Sequence, residues 1–196
     1  MACLNRSFNP YYLPMVTKMT KLNHWIKIAA MTAILCISVY LVPPIIVFGG
    51  VPLTIQTFII FLIAYLFTPK DALWTLSLYI LIGVMGLPVF SGGSSGLTAL
   101  LGPTGGFLMM FPLIAYLIAR FKSKDKHMAV DLLVSFGFGI VLLYAVSAIW
   151  LSYVLSMSYI QGITLLLPFV PLDILKVVIA HTVYQKMPSV YELSTH

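Results

Sequence analysis

Long apolar stretches, broken by short polar or proline-bearing segments, run the length of the chain, and their lengths predict helices. A first span is expected over residues 24–42, ending at Pro43–Pro44. A second, over 53–67, is softened by Thr54, Gln56 and Thr57 and stops at Thr68–Pro69. A third covers 71–87 and ends at Pro88. After a glycine-rich stretch, 88–104, come a fourth span over 105–120 and a long fifth over 128–155. The sixth is interrupted: a short helical piece near 160–167, a break at Pro168 and Pro171, then a helix to about Lys186. Several of these spans fall short of the ~20 residues a full crossing needs. Short helices beside uncharged loops imply loops that fold back into the protein body.

Composition turns these helices into membrane spans. Of 196 residues, 61% are hydrophobic and 8% charged, against about 25% charged in a soluble domain. The expected fold is therefore all-α, a polytopic integral membrane protein of six transmembrane helices. The net charge of +6 would suit nucleic acid, but its placement excludes that partner. With both termini cytoplasmic, the inside segments are 1–23, 68–71, 120–127 and 186–196, and every Lys and Arg except Lys27 and Lys176 falls in them. The outside segments 43–52, 88–104 and 156–170 carry none, which is a clean positive-inside pattern. Lys27, one turn into the first span, can snorkel to the interface. The chain divides into a cytoplasmic N-terminal tail, 1–23, a membrane domain, 24–186, and a cytoplasmic C-terminal tail, 187–196. Cys3 and Cys36 make no disulfide framework and read as inert thiols.

Two charges break the apolar pattern at depth. Asp173 and Lys176 lie in Ile163–Ile179, otherwise uncharged. A charge in mid-bilayer costs roughly 2.5–3.5 kcal/mol on insertion scales, so the pair must be compensated by each other or by a ligand. Counted back from Lys186, Lys176 is ~15 Å and Asp173 ~20 Å deep, in the middle to outer half of the membrane. Three residues apart, they share a helix face, and Pro171 suits a helix start. A carboxylate and an ammonium side by side match a urea-like head group; a self-satisfied ion pair is the plainer alternative.

The second constellation is Gly86-Leu-Pro-Val-Phe-Ser-Gly92-Gly93-Ser-Ser-Gly96 followed by Gly102-Pro-Thr-Gly105-Gly106, with six glycines in residues 92–106. Such backbone can approach a ligand closely, and its amides can cradle an anion such as a carboxylate. The same spacing also serves helix packing. Phe90, Trp74 and Tyr79 are candidates for an apolar pocket wall, or for packing. Ala29 and Ala33, four apart, allow close approach of another helix. No motif points to catalysis. His24, His127, His181 and His196 lack metal-ligand spacing, and the first three are expected in solvated roles near the interfaces. Gly92-Gly-Ser-Ser-Gly96 spells a nucleophile motif without its strand–turn–helix setting. No phosphate-binding Gly-Lys-Ser/Thr is present. No catalytic residue, metal or cofactor is expected.

Together, Val51-Pro-Leu-Thr-Ile-Gln-Thr57, Gly86-Leu-Pro-Val-Phe-Ser-Gly-Gly93, Gly102-Pro-Thr-Gly-Gly106 and Pro171-Leu-Asp-Ile-Leu-Lys176 resemble the BioY family over roughly residues 24–186. BioY proteins are the biotin-binding S components of energy-coupling factor (ECF) transporters of prokaryotes. The resemblance implies a cell-membrane protein that captures biotin from outside for ATP-driven uptake. Its implied partners are a transmembrane coupling subunit and two ATP-binding subunits, which would use the ATP. It maps ligand recognition onto Asp173 and Lys176, the glycine loops onto Gly92, Gly93, Gly105 and Gly106, and coupling-subunit contact onto Ala29 and Ala33. Leu172 departs from the glycine common at that turn. On this reading Gln56, Phe90, Ser94 and Thr104 also belong to the binding site. The ureido ring would meet Asp173, with the carboxylate on backbone amides or on Thr104 and Ser94–Ser95; the reverse pose, carboxylate on Lys176, stays open. The competing function is a solitary proton-coupled carrier for biotin or a related vitamin.

Overall fold

The computed structural model describes residues 12–41, 45–46 and 52–187; Cys3 and most of the C-terminal tail lie outside them. The chain is helical there except for a two-residue antiparallel pair, β1 (Ile45–Ile46) and β2 (Pro52–Leu53), with Ile45 opposite Leu53. The helices are α1 (Tyr12–Leu41), α2 (Gln56–Leu66), α3 (Pro69–Val84), α4 (Gly96–Leu101), α5 (Gly105–Phe121), α6 (Met128–Phe136), α7 (Leu143–Val154), α8 (Tyr159–Leu166) and α9 (Val170–Lys186). The first helix starts well before residue 24, so part of the expected tail continues the first span as helix. The 88–104 stretch, read as glycine-rich loop, folds into a 3₁₀ turn at Ser91–Gly93 and the short α4.

Local chemistry sets the boundaries. Phe67 and Thr68 turn extended ahead of Pro69, which disfavours helix in the residue before it. The Thr68 hydroxyl then caps α3 by accepting from the Asp71 N–H at 3.2 Å, with Pro69 in the first turn. Ser158 and Gln161 form a capping box at the start of α8. The break expected at Pro168 and Pro171 is instead a 3₁₀ turn, Leu167–Phe169, through which α8 runs on into α9 with Pro171 in the first turn of α9.

The α6 and α7 helices form one rod through a π-helical turn, Gly137–Leu142. Asp131, Ser135, Gly139, Leu143, Ser147 and Leu151 are all buried, at four-residue spacing. A straight α-helix would rotate such a row by about 40° per step; the wider turn takes up part of that drift.

The core is centred on α2, whose Ile59, Ile60, Phe61, Ile63, Ala64 and Tyr65 are all buried. It packs on α9 and α5; α5 packs on α3 and α7, and α1 lies outside against α3. Close approach depends on glycine where α5 meets α7: a Cβ at Gly106 would sit 2.8 Å from Trp150 Cβ. Three helical stretches, His24–Leu41, Met128–Val154 and Tyr159–Lys186, are long and apolar enough to cross a membrane.

The two ends of the bundle differ. At one, Lys122 Nζ donates to the carbonyls of Ala64 (3.1 Å), Phe67 (3.0 Å) and Tyr65, the C-terminal carbonyls of α2. Nearby, His181 Nε2 lies 3.0 Å from Asp131 Oδ2, both side chains fully buried, and the Ser123 N–H donates to Asp131 Oδ1 at 2.6 Å. His181 is therefore not the solvated interface residue expected from its place in the sequence; Asp131 draws it inward. Lys126 Nζ reaches the Met187 carbonyl at 2.8 Å, and His24 stands 3.4 Å from Asp71. The opposite end holds the cavity.

Candidate functional site

A cavity of about 480 Å³, counted out to its mouth, opens among the starts of α2, α5 and α9, the Ser91 turn and Tyr144 of α7. Most of that figure is open space at the mouth; the part with room for water is about 50 Å³. Phe107, Phe111 and Phe169 supply an apolar wall.

Its polar end is a closed network. Lys176 Nζ donates to Asp173 Oδ1 (2.7 Å), the Thr54 carbonyl (2.8 Å) and Thr57 Oγ1 (2.9 Å). Thr57 Oγ1 in turn donates to Asp173 Oδ1 at 3.0 Å, and the Tyr144 hydroxyl donates to Asp173 Oδ2 at 2.6 Å. Asp173 is 3% exposed, so its charge depends on these donors. Gln56 Nε2 donates to the Tyr79 hydroxyl (2.6 Å) and the Val89 carbonyl (3.3 Å). Tyr79 itself donates to Val89 O at 3.0 Å. The Val89 carbonyl can only accept, so Gln56 must turn its NH₂ there, which leaves Oε1 as its uncommitted atom.

Counting hydrogens fixes the character of this end. An ammonium has three donors, and Lys176 spends all three on protein oxygens. Tyr144, Thr57 and Gln56 spend theirs too. What remains open is acceptor capacity: the second lone pair of Asp173 Oδ2, the Tyr144 oxygen and Gln56 Oε1. The polar end is built to receive N–H donors.

The other expected site residues divide. Thr104 lines the cavity, its hydroxyl only 3.5 Å from Ala99 O. Gly92 borders a shallow recess, too narrow to hold a water, that shares Thr54, Gln56 and Ser91 with the main cavity. Gly93 and Ser94 are exposed, and Ser94 Oγ is spent on the Ser91 carbonyl at 2.9 Å. Phe90 is fully buried, edge-on to Tyr79 and filling the space where a Cβ on Gly83 would stand; it packs beneath the cavity. Gly105 and Gly106 pack against Leu100 and Trp150 as helix contacts. Trp74 is 56% exposed and walls nothing. Ala29 and Ala33 are exposed on the outer side of α1. Tyr144, Ser91 and the three phenylalanines were not singled out in the sequence. Tyr144 carried one signal, a phenol in a long apolar run; nothing distinguished Ser91 from its neighbouring serines.

A helical membrane protein with a polar-tipped cavity at one end of its bundle is built to take up a small molecule. The chain belongs to the BioY family, whose model matches residues 15–192. It is 32% identical over 161 residues to the biotin transporter BioY2 of Lactococcus lactis subsp. cremoris, covering 82% of this chain and 87% of the relative. It is 34% identical over 160 residues to the biotin transporter BioY of Thermotoga maritima, covering 79% and 89%. The crystal structure at 2.1 Å of the S-component for biotin from an ECF-type ABC transporter has a similar fold, with TM-score 0.80 and 26% identity over 90% of this chain and 97% of that one. The chain is a multi-pass cell-membrane protein.

Proposed function

We propose that this chain is the biotin-capture subunit of an ECF-type ABC transporter, binding biotin outside for uptake driven by partner subunits. The observation that carries the proposal is the acceptor-rich, buried end around Asp173, capped by aromatic walls, in a chain of this family. Biotin's ureido group offers two N–H donors, which meet Asp173 Oδ2, Tyr144 and Gln56. Its apolar ring system lies on Phe107, Phe111 and Phe169. With every Lys176 hydrogen committed, that lysine holds Asp173 in place, which disfavours a carboxylate there. Its carboxylate-bearing tail therefore points away, toward the 91–104 segment.

Six membrane segments follow: α1, α2, α3, α5, α6–α7 and α8–α9, with both termini cytoplasmic and the cavity facing outward. The basic end, with Lys122, Lys126 and Lys186, is the cytoplasmic one. Residues 24–186 make up the membrane domain, between tails 1–23 and 187–196. The exposed Ala29–Ala33 strip of α1 is the seat of a transmembrane coupling subunit, which two ATP-binding subunits drive. An ECF S-component relative favours this over a solitary proton-coupled carrier.

The test is equilibrium binding of biotin to the purified chain and to Asp173→Asn. The expected result is tight binding by the first and a large loss in the second; equal affinity would refute the site.

A further inference from the structure

One polar atom at the cavity is left without a partner. Ser91 Oγ is buried and makes no hydrogen bond to any described residue, and Ser91 lines both the main cavity and the smaller recess beside it. The other described side-chain atoms in that condition, Ser147 Oγ and His181 Nδ1, line neither. A buried hydroxyl left unpaired is costly, and this one is held where it is. Phe90 before it is wedged between Gly83 and Tyr79, while Val89 is tied by its carbonyl to Tyr79 and Gln56. After it, Phe90 and Ser94 pair through Phe90 N to Ser94 O at 3.1 Å, closing the turn. These contacts pin the backbone on both sides of Ser91.

What this hydroxyl can offer follows from the donor count. The donors of Lys176, Thr57, Tyr144 and Gln56 are spent on protein oxygens. The acid end of a ligand needs donors, and the buried hydroxyl of Ser91 is free to give one.

We infer that Ser91 Oγ hydrogen-bonds the carboxylate of bound ligand and sets the preference of this site for an acid over a neutral tail. The inference rests on the biotin-capture reading. Of the hydroxyls expected from sequence, Thr104, Ser94 and Ser95, it takes the place of the two serines beside it, while Thr104 lines the same cavity.

Biotin and biotinamide, whose carboxylate is a neutral amide, are titrated into purified full-length wild type and Ser91→Ala. A hydrogen bond to a charged group is stronger than one to a neutral group, so Ser91→Ala should bind biotin about tenfold or more weakly. Biotinamide should change only about twofold, its weaker neutral hydrogen bond being the one lost. The unfolding temperature of ligand-free Ser91→Ala should match or exceed that of wild type, because no protein partner is lost. Wild-type affinity for biotin in Ser91→Ala overturns the inference, as does an equal loss for both ligands or a lowered ligand-free unfolding temperature. Wild type that binds no biotin at all strikes the capture reading itself, a separately visible failure.

Discussion

The Tyr144 hydroxyl, in the first turn of α7, donates to Asp173 Oδ2 in the first turn of α9 at 2.6 Å. That single contact locks the wide π turn preceding α7 to the helix bearing both Asp173 and Lys176. It also aims the phenol oxygen into the cavity as an acceptor. Tyr144→Phe removes the donor and leaves one carboxylate oxygen without protein support. A hydrogen bond to a charged group contributes about 1.5–3 kcal/mol, so biotin affinity should fall roughly 10- to 100-fold. Calorimetric titration of the purified variant checks this; an unchanged dissociation constant would remove Tyr144 from the site.

Lys176 is argued to hold Asp173 rather than to touch ligand. Lys176→Met then strands a carboxylate that is 3% exposed. Breaking a buried pair by removing one partner costs about 3–5 kcal/mol, whereas replacing both is often close to neutral. Ligand-free Lys176→Met should unfold at markedly lower temperature in detergent. Asp173→Asn combined with Lys176→Met should recover most of the loss while binding no biotin. A double variant as unstable as the single one would show that the two charges do not compensate each other.

The polar anomaly in an apolar stretch was legible because a charge at depth has few excuses; Asp173 and Lys176 needed only hydropathy to be found. The punctuation at Thr68–Pro69 and Pro168–Pro171 was equally visible, since proline acts locally. What sequence could not supply was register between helices. The π turn at Gly137–Leu142 changes which face Tyr144 presents, and no local signal marks it. Phe90 reads as a pocket aromatic until the missing Cβ of Gly83 is seen to admit its ring. His181 reads as an interface residue because Asp131, fifty positions earlier, is invisible as its partner. Ser91, Ser94 and Ser95 are chemically alike in sequence, and only the fold of the turn separates the one facing the cavity.

Lys122 gives the fold a pH signature. Burial against the end of α2 holds its ammonium down to about 8, from 10.5, the nearby Asp131 partly offsetting this. Between those values the unfolded chain keeps a proton that the folded chain has released. Stability therefore rises with pH across that window, so far as Lys122 governs it. Unfolding of wild type and Lys122→Met followed from about pH 7.5 to pH 10 isolates the effect, since other groups titrate in both. The difference between them should change in favour of wild type as pH rises; a constant difference would mean that Lys122 titrates alike in both states.

Capture and assembly should be separable on α1. Ile28, Thr32 and Leu35 face inward, with Thr32 Oγ1 donating to the Thr75 carbonyl of α3 at 3.2 Å, while Ala29 and Ala33 face outward. None of the outward residues lines the cavity. Small residues one turn apart let a second helix come close, and a tryptophan there would hold it off. Ala33→Trp should therefore bind biotin as wild type does but fail to co-purify with a coupling subunit expressed alongside it. Leu133→Trp, on α6 at a side chain already 73% exposed, controls for added bulk and should assemble normally. Normal assembly of Ala33→Trp would place the partner on another face, and loss of biotin binding in it would mean that α1 supports the cavity after all.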